Sequence, residues 1–108
     1  MKQTVLTDEA LADIDSIYNY IALDSVNIAS KQVTKINLQI KKVSENPNIY
    51  PIVEGHSDRF ENLRKSVINP YIILFDNRAD LIVIVGVVHT KRDYKKISKQ
   101  RKTPKQYT

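Results

Sequence analysis

Residues 81–88 read LIVIVGVV, an unbroken apolar run of eight. A spanning helix needs roughly 20 such residues, so the run is far too short to cross a membrane. A strand with one wet face alternates apolar and polar residues, and this one does not. The run therefore predicts a strand over residues 81–89 that is apolar on both faces. Such a strand is central in its sheet and covered on both sides, not an edge. A chain that holds it needs other elements to cover it.

The remainder of the sequence supplies them. Residues 2–6 read as a short N-terminal strand. Thr7 offers an N-cap oxygen, and Asp8 and Glu9 sit in a first turn where the helix dipole favours acids. Leu11, Ile14, Ile17, Tyr18 and Ile21 follow at helical spacing, predicting an amphipathic helix that ends near Asp24. After a short polar joint, which Ser25 or Asn27 can cap, Ala29, Val33, Ile36, Ile40 and Val43 form a second apolar stripe. Lys31, Lys35, Lys41 and Lys42 lie largely off it, and Asn46-Pro47 ends the helix. So short a joint makes an antiparallel helical hairpin.

Residues 46–58 read as irregular, punctuated by Pro47, Pro51 and Gly55. Residues 59–68 alternate weakly and read as a strand, Asn69-Pro70 breaks it, and residues 71–76 form an apolar strand. The polar stretch 77–80 then returns the chain antiparallel into the final strand. The expected fold is α+β, in the order β-α-α-β-β-β. A helical hairpin packs on a small antiparallel sheet, with an N-terminal strand before it and a basic C-terminal tail behind it. With 108 residues, one domain is expected, placed at 1–94, and residues 95–108 are read as a short helix or a disordered tail. Few core residues are expected beyond Asp93, so removing the tail is expected to leave the fold intact.

Charge is distributed unevenly. The net charge is +5, yet residues 89–108 alone hold eight basic residues against the single acid Asp93. The first 88 residues are therefore slightly acidic, and the basicity belongs to the tail. An acidic partner is the usual counterpart of such asymmetry, and a merely solvated tail is the plainer reading. There is no cysteine, which excludes disulfides, thiolate metal sites and cysteine nucleophiles. The start MKQTVLTDEA turns acidic where a signal peptide would be apolar, so a cytoplasmic protein is expected.

Chemistry-bearing residues are few. His56 and His89 are the only histidines, and no acidic cluster has ligand spacing around them, so no metal is expected. No glycine-rich phosphate loop and no nucleophile elbow is present. What stands out is a basic set around strand ends: Arg59, Arg64, Lys65, His89, Lys91, Arg92 and Tyr94. A histidine titrates near neutral pH and serves as acid or base, and an arginine clamps a phosphate bidentately. Tyr94 is suited to stack on a base or donate a proton. Each also has a plain structural reading. His89 packs at a strand end, Arg64 pairs with an acid such as Glu61 or Asp76, and Lys91 and Arg92 are surface charge. Tyr18, Tyr20, Tyr50 and Tyr71 are read as core or rim packing.

Four strings, in this order and spacing, resemble the RelE/ParE superfamily, the toxins of bacterial type II toxin–antitoxin modules. They are LTDEALADIDSIYNYIA (6–22), ENPNIYP (45–51), FENLRKSVINPYIILFD (60–76) and VIVGVVHTKRD (83–93). The resemblance implies a small basic growth inhibitor without cofactor or metal, neutralised by a cognate antitoxin that wraps it with an acidic segment. Operator DNA would be met only through the antitoxin, no membrane is involved, and plasmid stabilisation is a role such modules serve. RelE-like members are ribosome-dependent endoribonucleases that cut mRNA, and ParE-like members inhibit DNA gyrase. Nuclease members carry an arginine in the third strand, where this chain has Ile72 within YIILF. An apolar residue cannot hold a phosphate, so the ParE-like branch is favoured. In that branch Arg59, Arg64, Lys65, His89, Lys91 and Arg92 are the contacts for target or antitoxin, and there is no catalysis. In the nuclease alternative His89, Arg92, Arg64 and Tyr94 form the catalytic set. A third alternative is a non-toxic module that only pairs with an antitoxin.

Overall fold

The computed structural model describes residues 2–107. A first strand, β1 (Gln3–Leu6), leads into helices α1 (Asp8–Ala22) and α2 (Val26–Glu45). A 3-10 turn at Pro47–Ile49 follows, then strands β2 (Leu63–Ile68), β3 (Tyr71–Asn77) and β4 (Leu81–His89). A short helix α3 (Tyr94–Lys99) and a 3-10 turn at Lys105–Tyr107 close the chain. Among the described residues, no helix is long and apolar enough to cross a membrane.

The caps act as the residue types dictate. Thr7 Oγ1 accepts the Ala10 N–H at 3.1 Å, and Asp8 and Glu9 lie in the first turn of α1. Of the two candidates for α2, Ser25 is the cap, its Oγ accepting the Ile28 N–H at 3.2 Å. The stripe of α2 is buried as expected at Ala29, Ile36, Ile40 and Val43. That of α1 is rotated: Ala10 and Ile14 are buried, while Leu11 is exposed. Ala10 takes the innermost position because its small side chain lets the helix approach the sheet closely.

The sheet runs β1-β4-β3-β2. β2, β3 and β4 pair antiparallel, whereas β1 pairs parallel with β4, from Gln3↔Leu81 to Leu6↔Ile84. The sheet is thus mixed rather than wholly antiparallel, and β4 is an interior strand, as its two apolar faces require. β2 is shorter than expected. Residues 59–62 are irregular, because the Asn62 N–H is held by the side chain of buried Asp76 (2.8 Å) instead of a strand partner.

Two apolar layers flank the sheet. On the helical side Ala10, Ile14, Ile36, Ile40 and Val43 meet Tyr71, Ile73, Phe75, Ile82, Ile84 and Val87. On the other side Ile72, Leu74, Val83, Val85 and Val88 are covered by Val53, Phe60 and Ile97, with Tyr94 and Tyr107 against them. The alternation in β4 breaks at Gly86. Leu74 pairs with Gly86 but Phe75 pairs with Ile84, so Val85 is the extra residue of a bulge. The bulge lets Val85 and Val88 share one face.

The second layer overturns the expectation for the C-terminus. Beyond Asp93, Ile97, Ser98 and Thr103 are buried. Residues 94–107 form a strap across the sheet, not a free tail. Burying Ile97 alone stabilises by about 2 kcal/mol, so removing the strap does not leave the fold as it was.

Candidate functional site

The basic residues at the end of β4 are placed by the way that strand stops. The Thr90 N–H donates to the Pro70 carbonyl (2.8 Å), and the Arg92 N–H turns back to the His89 carbonyl (2.9 Å). Asp93 then caps α3, accepting the Lys96 N–H at 3.1 Å. His89 is half-buried, and its ring meets the Tyr71 ring edge-on, 5.5 Å between centroids. Its Nδ1 accepts the Lys91 N–H at 3.1 Å, which in the neutral ring leaves the proton on Nε2. Lys91 and Arg92 are exposed beside it. Between α1 and this end of β4 lies a groove of about 510 Å³, with Tyr20, Tyr71, His89 and Arg92 among its walls.

The other predicted site residues lie elsewhere. Arg64 does not pair with an acid. Its Nη1 donates to the carbonyls of Tyr50 (2.6 Å) and Asn48 (3.2 Å), while its Nε is buried without a partner. It ties the loop after α2 to β2. The acids expected for it go to Arg78, which lies 3.2 Å from both Glu61 and Asp76. Lys65 Nζ donates to the Tyr94 hydroxyl at 2.9 Å and sits 4.5 Å from that ring's centre. Arg59 Nη1 donates to the Lys99 carbonyl at 3.0 Å. Among the four tyrosines read as packing, Tyr20 departs from that reading, being 78% exposed.

The sheet itself separates these groups. His89 lies against Tyr71, which belongs to the helical-side layer. Tyr94 belongs to the opposite layer and holds Lys65 there. Ile72 is buried in that same opposite layer, beneath the strap. The structure therefore brings together His89, Lys91 and Arg92, pairs Lys65 with Tyr94, and leaves Arg59 and Arg64 on backbone carbonyls.

Residues that hold the strap were not singled out from the sequence. Arg101 forms a two-pronged ion pair with Asp13 of α1, at 2.5 and 3.1 Å, and its Nη1 also donates to the Val85 carbonyl at the bulge (2.9 Å). The hydrogen bond to Asp13 raises the Arg101 pKa, against the opposing effect of burial. Thr103 Oγ1 donates to the buried Asp76 carboxylate at 2.6 Å. One signal for this was Gly86, the single glycine within an apolar strand, which marks a close approach. A Cβ there would lie 2.5 Å from Arg101 Nη1.

Comparison with known proteins bears on this arrangement. Residues 4–94 match the family described as the ParE toxin of the type II toxin–antitoxin system, parDE. A solved structure titled as a chromosomal ParDE TA system from P. aeruginosa has the same fold, with a TM-score of 0.68 and 24% identity. The match covers 82% of this chain and 96% of that one. None of the curated proteins matches.

Proposed function

The chain belongs to the family of ParE toxins of type II toxin–antitoxin systems, and from that membership we propose that it arrests growth by binding DNA gyrase, until a cognate antitoxin wraps it with an acidic segment. The reading favours binding over catalysis. What supports it is the division of the basic set by the sheet. A ribonuclease needs an acid or base and a phosphate clamp within reach of one bond. Here His89 lies on the helical side, Lys65 and Tyr94 lie on the opposite side, and the Arg64 guanidinium is spent on Tyr50 and Asn48 carbonyls. Ile72, where nuclease members carry an arginine, is buried and apolar. The groups left free to meet a partner are Lys91 and Arg92, with His89 beside them. Exposed cations of this kind suit recognition of an acidic surface.

Induction in a bacterial host, with pulse labelling of DNA, RNA and protein synthesis, tests the reading. DNA synthesis is expected to stop first, with an SOS response, and the purified chain is expected to inhibit gyrase. The pair His89→Gln and Arg92→Ala should weaken that inhibition by about tenfold, as loss of rim contacts does. Early arrest of translation with mRNA cut at codon boundaries would replace this reading by the nuclease one. Unimpaired growth would leave a module that only pairs with an antitoxin.

A further inference from the structure

β4 extends beyond its neighbour. β1 ends at Leu6, and the Thr7 N–H takes the Ile84 carbonyl (3.0 Å) before the chain turns into α1. Over residues 85–89 no strand lies on that side of β4. An uncovered strand edge is a template for another chain, and proteins usually block it. Side chains block the first part here. Arg101 donates to the Val85 carbonyl, and Asp13 Oδ2 accepts the Val87 N–H at 2.9 Å.

The block stops one step short. The Val87 N–H points away from β3, so the Val87 carbonyl does too, and so does the His89 N–H two residues on. The Thr90 N–H, next in line, points back toward β3 at Pro70. Among the described residues, nothing bonds the Val87 carbonyl or the His89 N–H. These two groups lie along the groove between α1 and β4, whose walls include Ile17, Tyr20, Tyr71 and Val88. The adjoining hairpin tip exposes Leu23, Val26 and Ile28 as well. Large apolar residues gathered this way mark a partner surface.

We infer that this groove takes an extended acidic peptide segment, which adds to β4 as a short parallel strand. One residue running parallel to β4 closes both open groups. Its N–H donates to the Val87 carbonyl, and its carbonyl accepts from the His89 N–H, the pattern that β1 makes upstream. An apolar side chain of the segment packs on Ile17 and Tyr20. A carboxylate meets Arg92, with Lys91 beside it. Charge favours an acidic segment, because Asp13, the acid lining the groove, is already neutralised by Arg101. The inference rests on the proposed antitoxin, whose wrapping segment is the occupant.

The test uses the full chain and the cognate antitoxin, comparing wild type with Tyr20→Glu, Arg92→Glu and, as a control, Ile49→Glu. All three positions are exposed, so the variants fold. Affinity should fall at least tenfold for Tyr20→Glu and Arg92→Glu and stay unchanged for the control. The His89 amide should exchange with solvent more slowly in the complex. Wild-type affinity in Tyr20→Glu together with unprotected His89 would overturn the inference, while neutralisation by the antitoxin would stand. Failure of the wild-type chain to bind the antitoxin would overturn both.

Discussion

At the scale of single residues, the tightest constraint is the meeting of Gly86 and Arg101. The guanidinium reaches Asp13 and the Val85 carbonyl through the space that a side chain at 86 would fill. Breaking a partly buried ion pair leaves a carboxylate short of donors, so Arg101→Ala should destabilise by about 2–3 kcal/mol in urea unfolding. Gly86→Ala should cost a similar ~2 kcal/mol, because it displaces the same guanidinium. In the Arg101→Ala background the glycine substitution should be nearly neutral, a coupling of about 1–2 kcal/mol in a double-mutant cycle. Additive losses would mean that the glycine serves the bulge by itself. Tyr71 gives a residue-scale prediction in pH. Burial, and secondarily the charge on Tyr20, raise its phenol above the ordinary 10.0. The unfolded chain then ionises at this position before the folded one does, so the contribution is intact below pH 10 and declines as pH rises through the folded pKa. Tyr71→Phe should flatten that decline in unfolding measured from pH 9 to 11, a range on the order of the tyrosine pKa.

At the scale of elements, the C-terminal strap decides how the sheet is covered. The family match ends at residue 94, yet Ile97, Arg101 and Thr103 beyond it bond to or bury parts of the sheet and α1. Cutting the chain after Asp93 should destabilise by several kcal/mol, on the order of 5, from lost burial and a carboxylate left buried with fewer donors. Growth arrest by the truncated chain is therefore expected to fail through unfolding. Circular dichroism and urea unfolding of the truncated chain check this, and a midpoint equal to wild type would refute it. Thr103→Val isolates one part, removing a hydrogen bond to Asp76 while keeping the shape, for a loss of about 1–2 kcal/mol. The sequence read the strap as dispensable because composition governed the reading. Ile97 and Tyr107 are few among many lysines, and a lysine-rich stretch looks solvated. Two apolar residues suffice when the strand beneath already has an apolar face to cover.

At the scale of the whole molecule, charge and shape act together. Net charge is +5, and its excess lies in residues 89–107, which the strap fixes against one side of the sheet. Electrostatic attraction of an acidic partner falls as salt screens it. Association with the antitoxin should therefore slow at least tenfold between about 50 and 500 mM salt. Dissociation, governed by the apolar groove, should change little. Stopped-flow measurement of both rates checks this, and an association rate insensitive to salt would show that the basic surface plays no part in the encounter.

By itself the sequence determined the order of elements, the two apolar helical stripes and the interior place of β4. These follow from local periodicity and from an apolar run that has no dry surface unless covered. It also carried the family resemblance in strings that lie within single elements and their joints. Only the tertiary structure decided which cations are free. Arg64 and Arg92 look alike in sequence, but Arg64 lies beside backbone carbonyls left open by the turn after α2, whereas Arg92 follows a strand end and faces solvent. The ties of Arg101 to Asp13 and of Thr103 to Asp76 span 88 and 27 residues. No local pattern encodes them, because each is set by where the bulge at Gly86 and the buried Asp76 leave unpaired groups once the sheet has formed.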